Sequence, residues 1–451
     1  MTSEGLLGLD LGTEFTKAAV VTLDGVERAH GRARTPWRMV PSGAEMDPAA
    51  LVDAALTAAR EALDRADVER VIGIGVTSMA ETGVLLDRYG EPAAPMIAWH
   101  DARGETEAAE IAEVFGADRF AERTGLPASR LCSLSKYRWL RANLPEAKRG
   151  VRWLNVAEWM IRCVGGGDVA ERSLSSRTGF WDLAARRPWD EALGWAEAPA
   201  GLLPAPIDSG TAAGRANESL GEAEGAILTV SGHDHPCAMI GSAATRASDV
   251  FDSCGTAEAF VRAVPPPLPP QAIRRAVAGD VTVGWHVVPG ELALMAGFVS
   301  GLALQRFLDL LGIGVERRAE LDDATLLIPP GANGVAVRDV IAARATVEGL
   351  PRSPTPAHVW RAALEALARH GADVLRMIES VAGETGRLVV TGGWARSPAV
   401  RAVKQEILGP FDEPAVEEAG ARGAALIAGI AAGVFRDTRE LPPVHWRSDV
   451  R

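Results

Sequence analysis

The sequence predicts an α/β protein built from two similar halves, and three observations lead to it. Apolar strand-like runs alternate with helical stretches along the whole chain, which is the pattern of α/β folds. A strand, a tight Gly-Thr turn and a second strand open the chain, and the same arrangement restarts near residue 246. A length of 451 residues exceeds one compact core and requires two domains or three. The expected division is 1–245, 246–437 and a tail at 438–451.

Each element has its own local reason. Residues 5–9 read as a strand, Asp10-Leu11-Gly12-Thr13-Glu14 as a small polar turn, and 16–22 as the returning strand; Asp24-Gly25 is then a strong hairpin signal. Asp47-Pro48 starts a helix with Leu51, Ala55, Leu56, Ala59 and Leu63 at helical spacing, and 71–76 is the next buried strand. Residues 227–230 form a further strand, followed by Ser231 to Pro236 and a small-residue helix over 237–244. The second half begins with a strand at Asp249, the turn Asp252-Ser253-Cys254-Gly255-Thr256 and another strand; prolines 265–270 form a loop inside it. Helices are expected over 300–311, from about Thr355 to Glu384 and from Ser397, with a strand at 388–391 running into Gly392-Gly393. A last small-residue helix starts at Gly420. The repeated strand, Gly-Thr turn and strand read as a weak internal duplication.

Charge and composition exclude several classes. Lys plus Arg number 47 against 59 Asp plus Glu, a net charge of −12, so a nucleic acid or an anionic membrane would bind against the field. Cys132, Cys163, Cys237 and Cys254 contain no C-x-x-C pair and read as free thiols in a reducing compartment, so the cytoplasm is the expected location. Residues 1–9 lack the basic start and apolar stretch of a signal peptide. The longest apolar run, 292–304, is shorter than the roughly 20 residues that cross a bilayer.

A Gly-Thr turn between adjacent strands can present backbone N–H groups and a hydroxyl to phosphate oxygens. One such turn is more often an ordinary hairpin, but two of them, with Gly392-Gly393 after a strand, suggest a polyphosphate held from several sides. Asp234, at the end of a strand in Gly232-His233-Asp234, reads on its own as a cap of the following helix. His233 and His235 lack the further ligands of a metal cluster.

Taken in order, these segments resemble the FGGY carbohydrate kinases, within the superfamily of actin, sugar kinases and heat-shock ATPases. Gly8-Leu9-Asp10-Leu11-Gly12-Thr13-Glu14-Phe15-Thr16-Lys17 is similar to that family's first phosphate segment, and Asp252 to Glu258 to its second. Val390-Thr391-Gly392-Gly393-Trp394-Ala395-Arg396-Ser397 resembles its adenosine segment, and Gly420-Ala421-Arg422-Gly423 its late helix. The resemblance covers nearly the whole chain and implies two actin-like (ribonuclease H-like) domains with an ATP- and sugar-binding cleft between them.

It also implies roles. Gly12, Thr13, Glu14, Lys17, Gly255, Thr256, Gly301, Gly392, Gly393 and Arg396 would bind ATP, Asp10 would hold Mg²⁺, and Asp234 would be the catalytic base. Met79, Glu81, Trp99, Asp101 and Arg103, with Asp234, would meet the sugar; Trp99 reads equally as a core residue and Lys17 as an outward lysine. Glycerol kinases carry Arg-Glu where this chain has Ala80-Glu81, and the smaller residue leaves room for a longer substrate. The implied activity is ATP-dependent phosphorylation of a small neutral ketose or polyol, xylulose-like, of about four to six carbons. The alternatives are a silent sugar- or nucleotide-binding regulator on the same fold and a glycerol- or gluconate-type kinase. The implied partners are the sugar or polyol and ATP, with no nucleic acid and no membrane, and a homodimer is left open.

Overall fold

The computed structural model describes residues 4–41 and 43–447. Two sheets carry the chain, and each is opened by a Gly-Thr hairpin. In the first, β1 (Glu4–Leu11) pairs antiparallel with β2 (Phe15–Thr22), which pairs antiparallel with β3 (Glu27–Arg34). On its other side β1 runs parallel to β4 (Arg70–Ser78), and β5 (Gly214–Arg215) and β6 (Ile227–His233) complete the order β5-β6-β4-β1-β2-β3. In the second sheet β7 (Asp249–Cys254) and β8 (Glu258–Val264) form the hairpin, followed by β9 (Thr282–Trp285), β10 (Leu292–Phe298) and β11 (Arg387–Thr391) in the order β9-β10-β8-β7-β11. The series β3-β2-β1-β4 and β10-β8-β7-β11 have the same directions, antiparallel, antiparallel and parallel. The weak duplication of the sequence is therefore a duplicated topology.

β1 and β7 are buried on both faces, as expected where helices cover a sheet from either side. Helix α1 (Pro48–Arg65) begins where the Asp47 side chain accepts from the Ala49 amide at 2.9 Å, with proline at its first position. Its alanine face lies so close to β3 that a Cβ on Gly31 would fall 1.9 Å from the Ala58 carbonyl. Helix α2 (Asp234–Gly241) starts three residues before the expected 237, directly after His233, because Asp234 is itself the first helical residue. Helices α3 (Ser300–Leu310), α4 (Pro356–Ala382) and α5 (Pro398–Leu408) follow the apolar spacing of the sequence.

Helix α6 (Ala419–Ala431), expected within the second domain, packs on the first sheet. Cβ atoms on Gly8 and Gly75 would lie 1.8 Å from Ala421 O and 2.0 Å from Ala424 O, so only glycine admits the helix backbone at both places. The tail returns as well. Ala415 N–H donates to His445 O at 2.7 Å and Arg447 N–H to Glu413 O at 2.8 Å, bringing Arg447 to the edge of the second sheet. Among the described residues, no helix is long and apolar enough to cross a membrane.

Candidate active site

A cavity of about 420 Å³ lies between the two hairpins, walled by Asp10, Lys17, Asp234, His235, Gly392, Gly393 and Arg396 among others. Six of these seven were expected from the sequence as metal, nucleotide or base residues, and they come from both halves of the chain. Arg32, Glu418 and Arg447 join them, and nothing in the local sequence marked these three.

The Gly-Thr turns stand at the rim rather than in this wall. In the first, the carbonyls of Gly12, Thr13 and Glu14 are taken by Thr35 Oγ1 (2.7 Å), Trp37 Nε1 (2.7 Å) and Thr35 N–H (3.1 Å). The N–H groups of Thr13, Glu14 and Thr256 have no hydrogen-bond partner among the described residues, the condition a phosphate-binding nest requires. Thr256 Oγ1 donates to Glu14 Oε1 at 3.1 Å, so the two turns touch tip to tip. Gly301 supports the second turn from behind: Leu302 N–H donates to Thr256 O at 3.1 Å, and a Cβ at 301 would meet Gly255 O at 2.2 Å. Gly392 has φ 103° and lies against Cys254, where a Cβ would fall 2.3 Å from its carbonyl. Beneath this turn the buried Lys404 ammonium donates to Glu258 Oε1 at 2.7 Å and Cys254 Sγ at 2.9 Å and pairs with Asp252, which fixes the hairpin base. Among the described residues Asp252, Cys254 and Glu258 cluster like metal ligands, but the lysine already supplies their cation.

Two carboxylates face the cavity with opposite electrostatics. Burial pushes the Asp10 carboxyl up to about 7, with Asp234 and Glu418 adding to the rise and Lys17 opposing it. Its Oδ1 is buried without a hydrogen-bond partner. Burial also acts to raise Asp234, but His235, the hydrogen bond from His233 and the His235 N–H at 2.7 Å outweigh it and hold the group at about 2. Burial lowers His235 as well, and the Asp234 carboxylate, which accepts from the His235 N–H and lies 3.1 Å from His233 Nε2, stays ionised at neutral pH. Lys17 is paired with Glu418 at 2.6 Å, which keeps its ammonium at the cavity instead of in open solvent.

An orphaned buried carboxylate oxygen in an acidic field is what a divalent cation relieves, so this donor set fits Mg²⁺. Asp10 would hold the ion, and bound there it would neutralise charge on the nucleotide's phosphate oxygens.

The expected sugar segment needs correction. Asp101 and Arg103 are absent from the cavity wall and bond each other: Asp101 Oδ1 accepts from Arg103 N–H (2.8 Å) and Nε (2.9 Å), and Oδ2 from Arg103 Nη2 (3.0 Å) and the Ala44 amide. Arg103 also donates to Glu45 Oε2 at 2.8 Å, and the two side chains are 0% and 6% exposed. They hold the strand Gly43–Met46, with both Asp101 oxygens and four of the five Arg103 N–H donors engaged in doing so. Met79 is buried beneath the site, with its N–H on Leu11 O at 3.0 Å. Ala80 is buried too, so the room expected at that position is not open. Trp99 is half-buried and donates from Nε1 to Thr13 Oγ1 at 2.9 Å, linking the acceptor segment to the first phosphate turn. Glu81 keeps a solvent-facing oxygen, and its other oxygen accepts from Arg177 Nε at 2.7 Å, an arginine that no motif in the sequence singles out.

These contacts predict different losses at the two threonines. Thr256→Val removes a hydroxyl and the bridge to Glu14, and should raise KM for ATP by about tenfold or more, the effect of losing one hydrogen bond to a charged group. Thr13→Val should do the same and also raise KM for the acceptor, because Trp99 loses its partner. Two-substrate steady-state kinetics separate the two; unchanged ATP affinity in both variants would make the turns plain hairpins.

Residues 6–241 match the N-terminal domain of the FGGY family of carbohydrate kinases, and residues 300–432 match its C-terminal domain. The chain belongs to the FGGY family of carbohydrate kinases. Members are phosphotransferases with an alcohol group as acceptor, and this chain is such an enzyme by family. It is 30% identical to a glycerol kinase of Aromatoleum aromaticum, covering 99% of this chain and 93% of that protein. It is 32% identical to one of Dechloromonas aromatica, over 99% and 92%. A xylulose kinase structure from Rhodospirillum rubrum superposes with a TM-score of 0.87 at 25% identity, over 98% of this chain and 93% of that one. A Plasmodium falciparum glycerol kinase with ADP gives 0.87 at 18%, over 98% and 93%, a likeness of fold alone. The two FGGY domain matches and these superpositions bear out the two-domain fold expected from the paired Gly-Thr turns.

Proposed function

We propose that this FGGY kinase transfers the γ-phosphate of ATP to a hydroxyl of a small neutral polyol or ketose. The observation that carries the reading is the placement of an ionised Asp234 in one cavity with Asp10, Lys17, Gly392 and Arg396. Asp234 accepts the proton of the attacking hydroxyl, and the open amides of Thr13, Glu14 and Thr256 orient phosphate oxygens. Lys17 and Arg396 add positive charge beside the transferred group. Asp10, Asp234 and Glu418 disfavour acidic sugars and sugars already phosphorylated.

Glycerol and the ketopentoses are both within this reading, because the whole-chain relatives include glycerol kinases and the fold is shared with xylulose kinases. The test is ADP release with ATP and Mg²⁺ over glycerol, erythritol, the pentuloses, the hexuloses and gluconate. ADP release that never depends on an acceptor overturns it and leaves a silent regulator; a sugar acid as the best substrate overturns the assignment of the acceptor class.

A further inference from the structure

Arg177 follows the short helix Arg172–Ser175 and reaches two places at once. Its Nε donates to Glu81 Oε1 at 2.7 Å, and its Nη1 donates to Thr282 Oγ1 at 2.8 Å, on β9 of the second sheet. The two side chains are only 11% and 12% exposed. Glu81 has φ 57°, a left-handed conformation that a non-glycine residue adopts only when its surroundings hold it, and here it aims the carboxylate at the guanidinium. Arg177 Nη2 and Glu81 Oε2 have no hydrogen-bond partner among the described residues, and neither is sealed from solvent. The pair thus offers one free donor and one free acceptor side by side, in a fork of fixed geometry. The helix that Arg177 follows is tied to the strand end that carries Asp234, because the His233 N–H donates to Ser173 Oγ at 2.9 Å.

We propose that Arg177 determines acceptor specificity, taking with Glu81 two adjacent oxygens of a vicinal diol. One hydroxyl of the diol donates to Glu81 Oε2, and the neighbouring oxygen accepts from Arg177 Nη2. A further hydroxyl of the same molecule meets Asp234. An acceptor without the second oxygen leaves the enclosed guanidinium unpaired, and a site built to hydrogen-bond an oxygen rejects the analogue that lacks it. The assignment rests on the kinase reading above.

The experiment compares glycerol with 1,3-propanediol, which lacks the middle hydroxyl, for wild type, Arg177→Met, Arg177→Lys and Thr282→Val. Wild type should prefer glycerol by at least about 100-fold in kcat/KM. Arg177→Met should lower kcat/KM for glycerol by about 10- to 100-fold while 1,3-propanediol changes by less than about threefold, so the preference collapses. KM for ATP should stay unchanged. Arg177→Lys, which keeps the charge without the fork, should recover part of the preference. Thr282→Val keeps the Glu81 pair and should keep the ranking. Equal losses on both acceptors, or a ranking that follows Thr282→Val instead, would show that Arg177 only holds the sheets together. A wild type that phosphorylates neither these nor the ketoses sinks the kinase reading and this assignment with it; a working kinase whose Arg177→Met variant keeps its ratio sinks the assignment alone.

Discussion

Asp234→Asn is expected to lower kcat by about 10² to 10⁴, the range for losing a general base, while nucleotide affinity and the fold persist. The amide keeps the size of the carboxylate and can accept from the His235 N–H, so α2 keeps its first turn. It cannot accept the acceptor's proton. Single-turnover phosphate transfer checks this, and a variant within about threefold of wild type would remove Asp234 from the base role. The pH profile gives a second check. With Asp234 held at about 2, the base is ionised throughout the neutral range, so a fall of kcat/KM near neutrality must come from another group.

Asp10 is that group. Its folded carboxyl is raised from 3.8 to about 7, so it is protonated below that point and loses its capacity for a cation; kcat/KM should therefore fall as pH drops through about 7. The same shift sets an opposite effect on stability. Between the unfolded value near 4 and the folded value near 7 the folded state holds the extra proton, so Asp10 favours folding at low pH, and that contribution is lost as pH rises to about 7. Asp10→Asn should consequently melt above wild type at pH 8 in the absence of metal, with the gap closing towards pH 4. It should also lose about 100-fold or more in turnover. Added Mg²⁺ should raise the melting temperature of wild type and leave that of the variant unmoved. A variant less stable than wild type at pH 8, or an equal Mg²⁺ response in both, would place the ion elsewhere.

The hairpins, their Gly-Thr turns and Asp234 were legible in the sequence because each is local: a strand, a turn and a strand lie within about twenty residues, and period and turn chemistry mark them. What stayed hidden depends on distant partners. Glu418 matters through Lys17, 401 residues away, and Arg177 through Glu81, 96 residues away, and no local pattern announces either. Asp101 and Arg103 show the converse case. Charged residues in a segment that resembles a sugar site suggested sugar contacts, yet burial made them satisfy each other and the strand at Gly43–Met46. The late glycine helix was found as a helix, but its address on the first sheet came from glycines at Gly8 and Gly75, which carry no helical signal themselves.

That address has a consequence for how the enzyme is made. The strands of the first sheet leave the ribosome well before the helix that covers them, α6. A Cβ at Gly420 would lie 2.3 Å from Asp10 Oδ2, so the surroundings of the first phosphate segment are also completed only then. The nascent amino-terminal half therefore emerges with a long apolar face uncovered, a state that invites chaperone capture, and a chain released before residue 419 should be recovered as aggregate, whereas the same fragment co-expressed with the missing carboxy-terminal piece should be recovered in solution.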